Sequence, residues 1–279
     1  MLAPAVTAGV CGCMVSMDGA EVQHRGWGLA EPLRVLLIAL AFLTRLPLGW
    51  VGVGHGDLTR ASAAFPLVGA LIAGAGIGVR AAAEPLWGAP AATAAAVLVT
   101  VVLTGAFHED GLADACDGLW GGWDPQQRVA IMRDSRLGTY GTVALVASLG
   151  LQVALLAPLD VFAFAAALLA GHVLGRAGIV LMVRWLAPVT GGSSADVAGR
   201  VGPLGLVVVA VTVGVVLAST LAWWGLAAAL LAVAVVAGWR VVLSRKLGGV
   251  TGDALGATVQ LVLLAVVALV SALAQAELL

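Results

Sequence analysis

His108-Glu109-Asp110-Gly111-Leu112-Ala113-Asp114-Ala115-Cys116-Asp117-Gly118 packs four carboxylates and a histidine into eleven residues of a chain that is only 10% charged. It follows directly on the run Pro85–Phe107, in which no side chain ionises. Charge placed at the end of such a run is expensive unless partners hold it there. Read as a helix, the stretch sets Asp110, Asp114 and Asp117 (i, i+4, i+7) within an arc of roughly 60°, with Glu109 on the neighbouring face. Three like charges on one stripe repel one another unless a cation or a bound proton joins them. The stretch reads as a divalent-metal site at a membrane surface.

The rest of the chain supports the membrane. Of its 279 residues 61% are hydrophobic, and mean hydropathy is +1.07. Soluble domains do not repeat long uncharged runs in this way. The expected fold class is all-α, a polytopic helical bundle in the lipid bilayer. A formal charge of −1 gives no electrostatic support for binding nucleic acid. Cys11, Cys13 and Cys116 are too few and too scattered for a disulfide framework or a structural zinc site.

Outward from the cluster, residues 1–32 read as a disordered N-terminal tail and 33–279 as a single membrane-embedded catalytic domain. Apolar segments are expected from Leu33 to about Val51, broken near Arg45 and Pro47, then over Ala61–Val79, Pro85–Phe107, Leu137–Leu159 and Val161–Val183. Val201–Trp239 is long enough for two helices, with Trp223-Trp224-Gly225 at the turn, and Ala254–Ala276 closes the chain. Seven or eight spans are expected. Counting crossings puts 108–136, 184–200 and 240–253 on one side. Those segments hold Arg128, Arg133, Arg136, Arg184, Arg200, Arg240, Arg245 and Lys246, so the positive-inside rule sets the acidic cluster in the cytoplasm. Small-residue-rich helices of this kind also permit a homo-oligomer.

Two further polar motifs belong to the same side. Met132-Arg133-Asp134-Ser135-Arg136-Leu137-Gly138-Thr139-Tyr140-Gly141 supplies guanidinium groups, which match phosphate oxygens. Gly248-Gly249-Val250-Thr251-Gly252-Asp253-Ala254-Leu255-Gly256-Ala257 supplies glycines for close backbone approach and a helix N-terminus beginning near Asp253. Carboxylates for magnesium and arginines for phosphate together suit phosphoryl transfer on a diphosphate. Each motif has a plainer reading. Arg133 and Arg136 serve equally as surface anchors, the glycines as helix-packing residues, Arg176 as a structural ion-pair partner, His108 as an interfacial polar residue, and Trp120 and Trp123 as belt residues. Only the carboxylate cluster resists such a reading.

Glu109-Asp110-Gly111-Leu112-Ala113-Asp114-x-x-Asp117-Gly118, followed by the Met132–Gly141 block, closely resembles the cobalamin synthase family. Phe42–Pro47, Phe65–Gly69, Gly175-Arg176-Ala177 and Gly249–Ala257 resemble its further blocks in the same order, so the likeness covers about residues 33–276. It implies an inner-membrane, magnesium-dependent transferase of the bacterial cell with its active site facing the cytoplasm. That family joins adenosylcobinamide-GDP to α-ribazole or its 5′-phosphate and releases GMP. It further implies Mg²⁺ on Glu109, Asp110, Asp114, Asp117 and Asp253, with His108, Asp110, Arg133 and Arg136 in catalysis. Arg45, Asp134, Ser135, Tyr140, Arg176, Gly249, Thr251 and Gly252 would serve in ligand binding. A CDP-alcohol phosphotransferase is the nearest enzyme rival. Its motif opens like Asp114-x2-Asp117-Gly118 but then needs Ala and Arg where Gly121 and Gly122 stand, and Gly where Ile131 stands. A transporter is the non-enzyme rival, though its carboxylates belong in mid-span at broken helices.

Overall fold

The computed structural model describes residues 31–54, 56–189, 197 and 201–279, so the expected tail lies outside the described residues except for its last two positions. Ten helices carry the described chain: α1 (Glu31–Leu43), α2 (Asp57–Ala61), α3 (Phe65–Thr104), α4 (Phe107–Gly121), α5 (Pro125–Met132), α6 (Thr139–Leu156), α7 (Val161–Trp185), α8 (Pro203–Leu221), α9 (Trp224–Lys246) and α10 (Gly252–Gln275). Six of them are long and apolar enough to cross a membrane. The protein is therefore an all-α, multi-pass membrane bundle, with six helices of spanning length where seven or eight spans were expected.

The count differs at the first expected segment, while α3 holds two of the expected segments in one helix. The segment expected to span from Leu33 to Val51 stops being helical at Leu43. Thirteen residues rise about 20 Å, short of a hydrocarbon core of about 30 Å. Both ends of α1 are also tied to one side of the molecule. Arg34 near its start bonds Asp57 of α2 at 2.7 Å, and Arg45 just past its end donates its backbone N–H to Leu103 O at 2.8 Å. Both ties hold α1 to that face. α3, in contrast, is two antiparallel arms. Gly88 (φ 74°, ψ 165°) breaks the helix in a conformation that only glycine adopts without strain. The arms then pair, with Arg80 donating to Thr93 at 2.5 Å. Arg80 is 2% exposed, ion-pairs with Glu84, reaches Leu159 O at 3.3 Å and stacks on the Phe164 ring. A buried guanidinium survives here because its donors have acceptors and its flat face has an aromatic partner.

The remaining turns fall where the residues direct them. α8 and α9 meet at Ala222–Trp223, and Trp223 and Trp224 stack 3.8 Å apart at that turn. Asp160 caps α7 by accepting from the N–H groups of Phe162 and Ala163. α7 is the inner helix, with 83% of its apolar window buried, while α8 has 11% of its window buried and turns the rest outward for lipid. α9 continues to Lys246, so Arg240, Arg245 and Lys246 end a helix where a loop was expected.

At the end opposite the Gly88 and Trp223 turns, three connecting segments meet as the crossing count required. Val189 N–H donates to Val250 O at 3.0 Å and Val250 N–H to Ala187 O at 2.9 Å, tying the chain after α7 to the chain before α10. Arg128 Nη1 donates to Lys246 O at 2.7 Å, and Lys246 Nζ to Leu119 O at 2.9 Å. α4 is thus bound to α9 and α10 at a single face.

Candidate active site

α4 is the expected acidic helix, and glycine brings it against α10. A Cβ on Gly111 would stand 2.9 Å from Asp253 O and 3.1 Å from Gly256 Cα, and one on Gly256 would stand 3.2 Å from Gly111 Cα. The two backbones touch, as only small residues permit. This contact places Asp253, on the first turn of α10, opposite Asp110 and Asp114. Thr251 begins α10 by accepting from Ala254 N–H at 3.1 Å, and its own hydroxyl faces Met132 Sδ.

The stripe grades inward: Asp110 is exposed, Asp114 half-buried and Asp117 buried. Burial, then the charges of Asp110, Asp253 and Asp117, push the Asp114 carboxyl up to about 7. Asp253 in turn feels Asp110 and the guanidinium of Arg133. Asp110 and Asp114 accept no side-chain hydrogen bond among the described residues, and Asp253 accepts from its own backbone N–H. Nor do three His, Cys, Asp or Glu side chains there converge closely enough to enclose a metal unaided. This donor set is open, crowded with negative charge and made of hard oxygens. It fits Mg²⁺, which keeps its waters and shares one or two carboxylates with a substrate phosphate.

Asp117 has different company. Its Oδ2 accepts from Gly138 N–H at 2.7 Å and its Oδ1 from Gly141 N–H at 2.9 Å. A Cβ on either glycine would run into this carboxylate, which explains both glycines of the Leu137–Gly141 block. Asp117 therefore pins the Arg133–Tyr140 loop and the start of α6 to the acidic helix. Within that loop Arg133 is exposed near Asp253, whereas Arg136 is held by its neighbour Asp134, Nη2 to Oδ2 at 2.5 Å. That pairing, through the hydrogen bonds from the Arg136 side chain first, draws the Asp134 carboxyl down to about 2. Ser135 and Tyr140 are exposed on the same loop. Replacing Asp117 by Ala strands two N–H groups, one of them buried, and should cost about 2–4 kcal/mol of stability. Denaturation in detergent checks this, and proteolysis of the 133–140 loop should quicken in parallel.

Glu109 and His108 turn away from the stripe into the bundle. Glu109 Oε1 accepts from Gln260 Nε2 of α10 at 2.7 Å, and burial pushes its carboxyl up. His108 is 1% exposed. Its Nδ1 lies 3.5 Å from Arg176 Nη2, and Arg176 Nη1 lies 2.7 Å from His172 Nδ1. Burial, with the adjacent Arg176 and His172, holds the His108 imidazole well below its usual range. Four buried atoms here lack a partner among the described residues: His108 Nε2, Glu109 Oε2, His172 Nε2 and Arg176 Nε. The sequence singled out Arg176 but not its link to His108, and it missed Gln260. A lone amide within the apolar run Leu255–Leu273 was the available signal.

The other residues named from sequence divide. Gly252 opens α10 beside the stripe, and Gly249 packs its Cα against Ala187 O, where a Cβ has no room. Arg45 lies over Gly105, just before α4, at the edge of the face. The cationic rim was legible as charge but not as contact: Lys246 sits 5.2 Å over the Trp120 ring and Arg240 6.0 Å over Trp185.

Comparison with known proteins follows the same lines. A family model described as cobalamin-5-phosphate synthase matches residues 35–271. The chain is 37% identical over 245 residues to an adenosylcobinamide-GDP ribazoletransferase of Shewanella piezotolerans, covering 83% of this chain and 92% of that one. It is 38% identical over 249 residues to the enzyme so named from Leptothrix cholodnii, covering 84% and 93%. For that of Ralstonia nicotianae the identity is 39% over 239 residues, covering 82% and 91%. No solved structure matches.

Proposed function

The chain belongs to the cobalamin-5-phosphate synthase family and is a transferase of it, and from that premise we propose that it joins adenosylcobinamide-GDP to α-ribazole or its 5′-phosphate with release of GMP. One observation carries the reading: Asp110 and Asp114 face Asp253 across the Gly111–Gly256 contact, with Arg133 at the rim. The chemistry needs such a place. A ribose hydroxyl forms a new O–P bond at the cobinamide-side phosphorus, the bridging P–O bond breaks, and GMP departs with the bridging oxygen. Negative charge builds on that oxygen and on the non-bridging ones.

Asp110, Asp114 and Asp253 would hold the metal, and Mg²⁺ bound there supplies neutralising charge to the diphosphate. Arg133, exposed beside Asp253, presents its guanidinium fork to a non-bridging oxygen. Arg136 reaches a phosphate only by leaving Asp134, so its part is secondary. Asp117 keeps the Arg133 loop in register. The hydroxyl's proton has the stripe carboxylates as nearby acceptors, while the Nδ1 of His108 is taken up by Arg176. Glu109 braces α4 against Gln260 from behind the stripe.

The cationic rim supports a cytoplasmic setting for this face, on the inner membrane of a bacterium. Arg34, Arg45, Arg60, Arg128, Arg133, Arg136, Arg184, Arg240, Arg245 and Lys246 belong to it, and at the opposite end the single described cation is the buried Arg80.

Purified protein in detergent, given both substrates, should release GMP and form a cobalamin product with Mg²⁺ and do neither with EDTA. GMP that persists in EDTA removes the metal from the reading. A folded sample that releases none under either condition removes the reaction. Arg133→Ala should raise the KM for adenosylcobinamide-GDP about tenfold or more, as loss of a charge-assisted bond does, and leave that for the ribazole unchanged.

A further inference from the structure

Beside the acidic stripe lies a slot walled by Phe42, Phe65, Phe107, Leu255 and Gly252, with His108 as its single ionisable lining residue. Phe42 and Phe65 stack with centroids 5.7 Å apart, and Phe107 meets Phe42 edge-on at 5.5 Å. The slot opens where α10 begins, one residue from Asp253. The void is about 20 Å³ as it stands, and Phe107, 38% exposed, is the wall that would have to turn outward to admit a larger ligand.

The polar group in this wall has a fixed character. A guanidinium donates hydrogen bonds and accepts none. Arg176 places Nη2 against His108 Nδ1 and Nη1 against His172 Nδ1, so each Nδ1 must accept. The ring proton of His108 then resides on Nε2, an atom without a partner among the described residues. His108 is a neutral N–H donor set among aromatic rings.

We propose that this slot takes the flat heteroaromatic base of the ribazole substrate, with His108 Nε2–H donating to its unsubstituted ring nitrogen. This rests on the proposed ribazole transfer and adds where and how the base is read. The guanine of the other substrate carries several donors and acceptors on its edge, which one donor among phenylalanines would leave stranded. A benzimidazole offers two apolar faces and one acceptor, matching the wall group for group. Seated there, it sends its ribose toward Asp110, Asp114 and Asp253. Arg176 is a positioning residue, holding the His108 tautomer without touching substrate.

The test measures binding to the full-length protein in detergent, using α-ribazole and its analogue in which the ring nitrogen is replaced by C–H. GMP release by the wild type is assayed in parallel. Wild type should prefer α-ribazole about tenfold, the worth of one neutral hydrogen bond. His108→Ala should erase that preference, and His108→Gln, whose amide N–H falls near Nε2, should restore part of it. Phe107→Ala should weaken both ligands about tenfold through lost ring contact while keeping the affinity for adenosylcobinamide-GDP, which certifies its fold. Arg176→Met should alter the ¹⁵N shifts that report the His108 tautomer. An undiminished preference in His108→Ala, or unchanged ribazole affinity in Phe107→Ala, overturns the slot. If wild type releases GMP in either of those cases, the slot fails and the reaction stands. If wild type neither binds ribazole nor releases GMP, both fall.

Discussion

Asp114→Asn should abolish GMP release, by about 10²–10³-fold or more at saturating Mg²⁺, and at the same time yield a more heat-stable protein at pH 8. The loss follows from removing the middle carboxylate of the Asp110–Asp114–Asp253 set, since a preorganised electrostatic contact to the reacting group is worth that much in rate. The gain follows from the environment of the same side chain. Its carboxyl is pushed up to about 7 by burial and by Asp110, Asp253 and Asp117. A raised carboxyl favours folding when protonated, so its cost grows as pH rises from the unfolded value near 4 and is complete above about 7. At pH 8 the wild type carries all of that cost, and the neutral amide carries none. Mg²⁺ should reverse the order by binding the folded wild type and raising its melting temperature, with a smaller shift in the variant. A melting temperature that falls on substitution would mean that Asp114 is a structural group. Near-normal turnover would mean that the metal is held elsewhere.

Helix α4 was readable because one period explains it. The 3.6-residue repeat alone sets Asp110, Asp114 and Asp117 on a stripe and Glu109 beside it, and the structure keeps that arrangement. The double tryptophan at 223–224 was likewise a local signal, and two arms were expected where α3 stands, though with the break between Val79 and Pro85 and not at Gly88. What escaped the sequence is what depends on a distant partner. Hydropathy does not show which contacts hold a helix, and the ties of α1 come from Arg34 to Asp57 and from Arg45 to Leu103. Nor can composition show that Asp117 spends both oxygens on Gly138 and Gly141, so that one of four apparently equal carboxylates is an anchor. Arg133 and Arg136 look alike in sequence. They separate because Asp134 sits two residues from Arg136 and can fold back onto it.

Of the glycines in the α4–α10 contact, Gly256 was open to a helix-packing reading while its partner Gly111 escaped for the same reason, and together they support the second large effect. Gly111→Ala should reduce kcat about 10²-fold, and Gly256→Ala should reduce it less. Helix propensity alone argues the opposite way, because alanine stabilises a helix interior by about 1 kcal/mol over glycine. The tertiary contact decides. The new Cβ at position 111 would lie 2.9 Å from Asp253 O and 3.2 Å from Asp253 Cα, both backbone atoms, and a backbone cannot yield as the end of a flexible side chain does. α4 and α10 must move apart, and the pair that parts is the one carrying Asp110 and Asp114 on one side and Asp253 on the other. A displacement of about 1 Å in a reacting arrangement is enough for such a loss. At position 256 the nearest atom is Gly111 Cα at 3.2 Å, followed by His108 O at 3.4 Å, so a smaller shift suffices. The two substitutions disturb one contact, and the double variant should fall short of the product of the single losses. Steady-state kinetics with Mg²⁺ titrated for each variant reads the effect, and the apparent Mg²⁺ affinity should weaken in the same order as kcat. Equal, near-normal rates in both variants would show that the carboxylates of the two helices do not act on one metal, and the site would then belong to α4 alone.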